Sequence, residues 1–244
     1  MGTYAAVVLA GGAARRMGGV DKPALPVGGR PMRDRVLAAV TDATPRVVVG
    51  ATHAVPAGVR VVREDPPGGG PVAAAAAGLA LLPPDTTVVA LLAADLPLLT
   101  RAAVGDLLNH LDREPPPTEP ARDRSAPAPP TRDGLAAPLV RDGLAPAPPA
   151  RSGSGGSERG PDGVCFVDGD GRRQSLCGVW RVAALRAALA RLTVERGGTL
   201  SGAPVRALLA GLVVREVAWS GEGPPPWFDC DTDEDVRRAE EWAR

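Results

Sequence analysis

Apolar runs separated by glycine-rich or polar breaks recur through the first 112 positions of the chain. The run YAAVVLA at 4–10 carries no charge and reads as a strand buried on both faces. RVVVG at 46–50 and VRVVR at 59–63 are short β-branched runs and predict two further strands. TVVALLAA at 87–94 predicts another buried strand. Helical stretches lie between them. Residues 31–40 accept Pro31 in a first turn, and the Ala-rich 71–82 suits close packing on a sheet. Thr100 is placed to cap a helix running to about Leu111. Buried strands alternating with apolar helices predict an α/β fold with a parallel sheet covered on both faces.

The pattern breaks between Pro115 and Pro161, where 12 prolines mix with Arg, Asp, Ser and Gly. RDGLA occurs at 132–136 and again at 141–145. Such a segment buries little and predicts a disordered insertion at about 115–161 within a single domain spanning 1–244. The rhythm then resumes. Strands are expected at 164–168, 176–180 and 212–218, and helices at 182–192 and 204–210. A last helix follows Thr232, with Asp235 completing a capping box.

Charge excludes several classes. The chain has 28 Lys plus Arg and 28 Asp plus Glu, so nothing favours nucleic acid or an anionic membrane as partner. Basic residues are not interleaved with aromatics. No run is long and apolar enough to span a bilayer. No cleavable leader is legible, so a cytoplasmic location is expected. Cys165, Cys177 and Cys230 have no metal-binding spacing, and His53 and His110 read as loop and helix-surface residues.

The candidate chemistry begins directly behind the first strand, in LAGGAARRMGGVDKP at 9–23. Glycines let backbone N–H groups approach phosphate, and Arg and Lys supply charge. Gly11 and Gly12 sit at the carboxyl end of a strand, where open α/β sheets bind ligands. The loop has neither GxxxxGK[ST] nor GxGxxG, so it is neither a Walker loop nor a dinucleotide fingerprint. Two glycines alone would fit an ordinary turn with surface cations. The whole stretch behind a buried strand points to a nucleoside triphosphate, with Arg16 and Lys22 facing its β- and γ-phosphates or the leaving pyrophosphate. Asp95, just beyond the strand at 87–94, is the hard oxygen donor that magnesium prefers.

This loop resembles the signature of the molybdenum cofactor guanylyltransferase family, within the MobA-like nucleotidyltransferases. The resemblance covers 4–112 and, more loosely, 163–242. It implies a doubly wound, mostly parallel Rossmann-like sheet with helices on both faces. It implies Mg²⁺-dependent transfer of GMP from GTP to the terminal phosphate of molybdopterin, with release of pyrophosphate. A molybdoenzyme or its chaperone is then a further partner. Gly12 points to GTP, because cytosine users tend to have alanine there. The alternatives are a relative using CTP or another phosphorylated acceptor, and a non-catalytic nucleotide-binding delivery protein. The acceptor phosphate is already anionic, so alignment and charge neutralisation would carry the reaction without a general base.

The resemblance also assigns residues. Asp95 matches a metal-binding D-x-P motif. REDPPGGGPVAAAAAGL is similar to the family's E-D…G-P-L-A-G, with Val72, Ala73 and Ala74 departing from it. It implies that Asp65 either bonds the guanine edge or fixes a loop, and that Gly70 and Pro71 shape the nucleotide-side turn. The nucleotide-contacting set becomes Leu9, Ala10, Gly11, Gly12, Arg16, Lys22, Asp65, Gly70, Pro71 and Asp95. Asp231, in FDCDTDEDV, is a candidate second metal ligand, and Asp229 is a neighbour of equal chemistry. Gln174 and Ser175, in DGDGRRQSLCGVWR, are candidate acceptor contacts. Arg172, Arg173 and Arg181 either meet a phosphate or solubilise a hairpin.

Overall fold

In the computed structural model, which describes residues 3–11, 22–50, 54–113 and 160–244, the first apolar run becomes β1 (Ala5–Leu9), buried along its whole length. A short hairpin, β2 (Pro26–Val27) and β3 (Arg30–Pro31), leads into α1 (Met32–Ala39). Then come β4 (Arg46–Val49), β5 (Val59–Val62), α2 (Pro71–Ala80), β6 (Val88–Ala93) and α3 (Arg101–Asp112). The remainder is β7 (Gly163–Val167), β8 (Arg173–Arg181), α4 (Val182–Glu195), α5 (Val205–Leu208), β9 (Val214–Ala218) and α6 (Asp233–Trp242).

Seven strands form one sheet in the order β5-β4-β1-β6-β8-β7-β9. Only β8 runs against its neighbours β6 and β7; the other described pairings in this sheet are parallel. The doubly wound, mostly parallel architecture is therefore present. Strand alternation sorts the core. Ala6 and Val8 of β1 face α1 and α3, packing with Val36, Leu37, Val104 and Leu107. Ala5, Val7 and Leu9 face α2 and α4, packing with Val72, Leu79, Leu185 and Leu192. Helix α2 lies so close to the sheet that a Cβ on Gly78 would come within 2.4 Å of Val7 Cγ1 and 3.1 Å of Val49 Cγ2. Its Ala-rich sequence serves that closeness.

A third, smaller cluster fixes the site. Val27, Met32, Leu98, Cys230 and Ala239 are buried together, with Leu25, Phe228 and Val236 against them. It joins the β2–β3 hairpin, the turn after β6 and the α6 region. Thr232 caps α6 by accepting from Asp235 N–H, and Asp235 returns the bond to the Thr232 N–H, so the expected capping box is formed. Thr100 caps α3 in the same manner by accepting from Ala103 N–H.

The structure departs from the sequence expectations at several points. The hairpin β2–β3 was not anticipated, because two-residue strands carry no periodicity. Strand β8 starts at Arg173 rather than 176, since its first residues are polar and show no apolar run. The helix expected over 204–210 is the single turn α5. Positions 114–159 lie outside the described residues, as do the RDGLA repeats. Pro161, assigned to the insertion on composition, is instead buried. The Arg181 guanidinium donates to the Pro161 carbonyl at 3.0 Å and to the Leu111 carbonyl at 3.4 Å, so it ties the chain on either side of 114–159.

Candidate active site

The site lies at the carboxyl ends of β1, β4 and β6. The Ala10 N–H donates to the Val49 carbonyl at 2.8 Å, and the Ala94 N–H to the Leu9 carbonyl at 3.0 Å. The loop after β1 is thus stitched to the turn that carries Asp95. Leu9 and Ala10 are both buried there. Gly11 packs against two neighbours at ordinary contact distance. An added Cβ would sit 3.4 Å from Glu64 Oε1 and 3.5 Å from the Gly50 Cα. Gly50 has a φ of 83°, and its own Cβ would fall 2.7 Å from the Gly11 Cα. Sequence reading passed over Gly50; the GA break directly after a β-branched run was its signal. Gly12, Arg16 and His53 lie outside the described residues.

Lys22 opens a 3-10 turn that is closed by the Leu25 N–H on the Lys22 carbonyl. Its ammonium donates to Asp95 Oδ2 and to Asp231 Oδ1, each at 2.7 Å. The Lys22 side chain is 5% exposed, against 25% for Asp95 and 55% for Asp231. Burial opposes the Lys22 charge, but its bonds to Asp231 and Asp95 outweigh that and raise the ammonium's pKa. The Cys230 N–H donates to the Asp95 carbonyl, tying the two acidic segments through the backbone as well. The structure therefore unites Lys22, Asp95 and Asp231 although they are far apart in sequence.

An open cleft of about 320 Å³ adjoins them, lined among others by Asp95, Gln174, Ser175, Cys177, Trp227 and Asp229. Register explains the Gln174 and Ser175 positions. Leu92 pairs with Cys177, so the start of β8 reaches the carboxyl end of β6. Gln174 donates to Asp168 Oδ2 at 3.0 Å, which orients its amide. Trp227 forms a wall braced by Phe166, with ring centroids 5.2 Å apart. Partial burial, then the charge of Asp231, raises the Asp229 carboxyl above its ordinary range. The arginines do not gather here. Arg173 pairs with Glu216 at 2.6 Å, and Arg181 sits opposite Val88 at the other end of the strands.

On the β5 side, Gly70 adopts a φ of 90° as it leads into α2, and Pro71 opens that helix. Asp65 is exposed, whereas Glu64 is buried at 6% exposure. Glu64 Oε1 accepts from the Gly68 N–H at 3.0 Å; Oε2 is buried and has no hydrogen-bond partner among the described residues. An inward, unpartnered carboxylate oxygen is costly unless a ligand satisfies it. The sequence signal was the ED pair itself, whose inward member only the turn decides.

Metal is implied by the fold family. Among the described residues, no group of three or more His, Cys, Asp and Glu side chains is placed to hold an ion. Magnesium needs fewer, because it takes one or two carboxylates and fills its shell with water and substrate phosphates. Asp95 and Asp231, each directing an oxygen at one cation, fit that requirement.

Lys22 thus meets Asp95 and Asp231 beside the carboxyl end of β6 in an open, mostly parallel sheet. The profile of the MobA-like NTP transferase domain matches residues 6–213, and the chain belongs to that family. A stretch of 45 residues is 49% identical to a probable molybdenum cofactor guanylyltransferase of Haloferax mediterranei, covering 18% of this chain and 21% of that protein. The match thus spans about a fifth of the curated relative's length. The fold is similar to that of 2-C-methyl-D-erythritol 4-phosphate cytidylyltransferase from Thermus thermophilus, with 19% identity, a TM-score of 0.58, and coverage of 99% of this chain and 98% of that one. It is similar also to molybdopterin-guanine dinucleotide biosynthesis protein A from Archaeoglobus fulgidus, with 17% identity, a TM-score of 0.57, and coverage of 97% and 96%. No described helix is long and apolar enough to cross a membrane.

Proposed function

We propose that the chain transfers a nucleoside monophosphate from a nucleoside triphosphate to a phosphate of an acceptor seated in the cleft beside Asp95, releasing pyrophosphate. The observation that carries this reading is Lys22 held between Asp95 and Asp231 at the ends of the central strands. An acceptor phosphate oxygen attacks the α-phosphorus, and the bond to the β-phosphate oxygen breaks. Lys22 and Arg16 offset charge on the departing pyrophosphate. Asp95 and Asp231 would hold Mg²⁺, which when bound neutralises phosphate charge and aligns the displacement. Gln174, Ser175, Trp227 and Asp229 receive the acceptor body. Leu9, Ala10, Gly11, Gly12, Gly70 and Pro71 border the nucleotide.

Glu64 serves as the base-reading group in place of the exposed Asp65. Its free oxygen accepts from the ring N–H and amino group of guanine, or from the amino group of cytosine. Two substrate pairs fit these residues. One is GTP with molybdopterin, supported by Gly12 and by the short match to a probable guanylyltransferase. The other is CTP with a different phosphorylated acceptor. Likeness in fold favours this broader reading, since a cytidylyltransferase aligns over the whole chain as well as a molybdopterin enzyme does. Pyrophosphate release with each of the four nucleotides, on molybdopterin and on polyol phosphates, with and without Mg²⁺, separates them. Asp95→Asn should lower turnover by about 10²-fold while thermal unfolding stays near wild type. Near-normal turnover of that variant at saturating Mg²⁺ refutes the role of Asp95. Nucleotide binding without pyrophosphate release from any acceptor would identify a delivery protein instead.

A further inference from the structure

The ammonium of Lys22 sits between the two carboxylates read as metal ligands. Its Nζ is 2.7 Å from one oxygen of Asp95 and 2.7 Å from one oxygen of Asp231. Magnesium binds such oxygens at about 2.0–2.1 Å and tolerates no ammonium at the same point. We infer that Lys22 keeps this carboxylate pair closed to divalent metal until a polyphosphate draws the ammonium away. The inference rests on the reading of Asp95 and Asp231 as metal ligands, but it concerns the free protein before any reaction.

The supports on each side make the exchange feasible. The base of Lys22 is fixed by its 3-10 turn, and the Met32 N–H on the Leu25 carbonyl holds that turn to the hairpin. Its four-carbon stem has the torsional freedom to redirect the ammonium from one anionic partner to another. The backbones that carry the two carboxylates are held without Lys22. The Asp231 N–H donates to Asp235 Oδ2 at 3.1 Å, and the Asp95 carbonyl accepts from the Cys230 N–H at 3.2 Å. When the ammonium moves onto phosphate, Asp95 and Asp231 give up the cation they share. A triphosphate supplies both the competing anion for Lys22 and further oxygen ligands for the metal. Metal therefore enters with nucleotide or after it.

Mn²⁺ binding to the full-length, nucleotide-free protein, followed by electron paramagnetic resonance, tests this. Lys22→Gln, verified as folded by circular dichroism, should bind Mn²⁺ at least about tenfold more tightly than wild type. Adding Asp95→Asn to that variant should abolish the gain. Equal affinity of wild type and Lys22→Gln overturns the inference while leaving the metal role of Asp95 standing. No saturable Mn²⁺ site in folded Lys22→Gln overturns both. Should that variant fail to fold, the ammonium resonance of Lys22 in the wild-type protein decides. Millimolar Mg²⁺ alone should leave it unmoved, and Mg²⁺ with a non-hydrolysable GTP or CTP analogue should shift it. A shift with Mg²⁺ alone overturns the inference.

Discussion

Glu64 and Asp65 are chemically near-equivalent neighbours with opposite surroundings, and the difference decides which of them can read a base. The turn that follows β5 sends the two adjacent side chains to different surroundings. Glu64 turns inward against Gly11, and Asp65 turns out to solvent. Glu64→Gln keeps one oxygen for the Gly68 N–H but presents an amino group to the base. It should raise KM for the preferred nucleotide about tenfold with little change in kcat, as read from pyrophosphate release. An unchanged KM would remove Glu64 from the site. Asp229 makes a second residue-scale prediction. Its folded pKa is raised above the ordinary 3.8, so its contribution to stability is complete below about that pH and is lost as pH rises through the folded value. Asp229→Asn should therefore raise the urea midpoint at pH 7, and the gain should vanish at pH 3. An equal gain at both would rule out ionisation as the cause.

Elements with strong local signals were legible in the residues. Valine-containing apolar runs marked β1, β4, β5 and β6, and Thr100 and Thr232 marked the starts of α3 and α6. What local pattern lacks is any record of depth. Gly78 looks like a weak point in an Ala-rich helix, and by propensity alone Gly78→Ala would strengthen it by about 1 kcal/mol. The sheet reverses the sign. The new methyl group would press into Val7 and Val49, and overpacking costs about 1–3 kcal/mol. The variant should unfold at lower urea than wild type; greater stability would show that α2 can lift off the sheet without penalty.

At the scale of the whole molecule, the site is assembled from ends that periodicity cannot connect. Lys22 and Asp231 are 209 positions apart, and the buried cluster joining the hairpin, the Leu98 turn and α6 helps bring them together. The family resemblance named Lys22, Asp95 and Asp231 from motifs, whereas their shared ion pair is a property of the folded chain. The reversed strand β8 has the same standing. Its apolar residues announced a strand, but its direction, which carries Gln174 and Ser175 to the cleft, follows from the hairpin it forms with β7. The single-domain reading can be tested at this scale. Replacing 114–159 by a short Gly-Ser linker should leave the melting temperature within about 4 °C of wild type and preserve pyrophosphate release. Loss of folding would make that segment part of the core.

Arg181 clasps the backbone on both flanks of 114–159, and it does so beside Val88, about 20 Å of strand from Asp95. Closing a longer loop across such a clasp adds only about 0.6 kcal/mol for each doubling of its length. A fluorescent reporter or an affinity handle spliced in between residues 113 and 160 would therefore join the chain at a point far along the strands from Asp95.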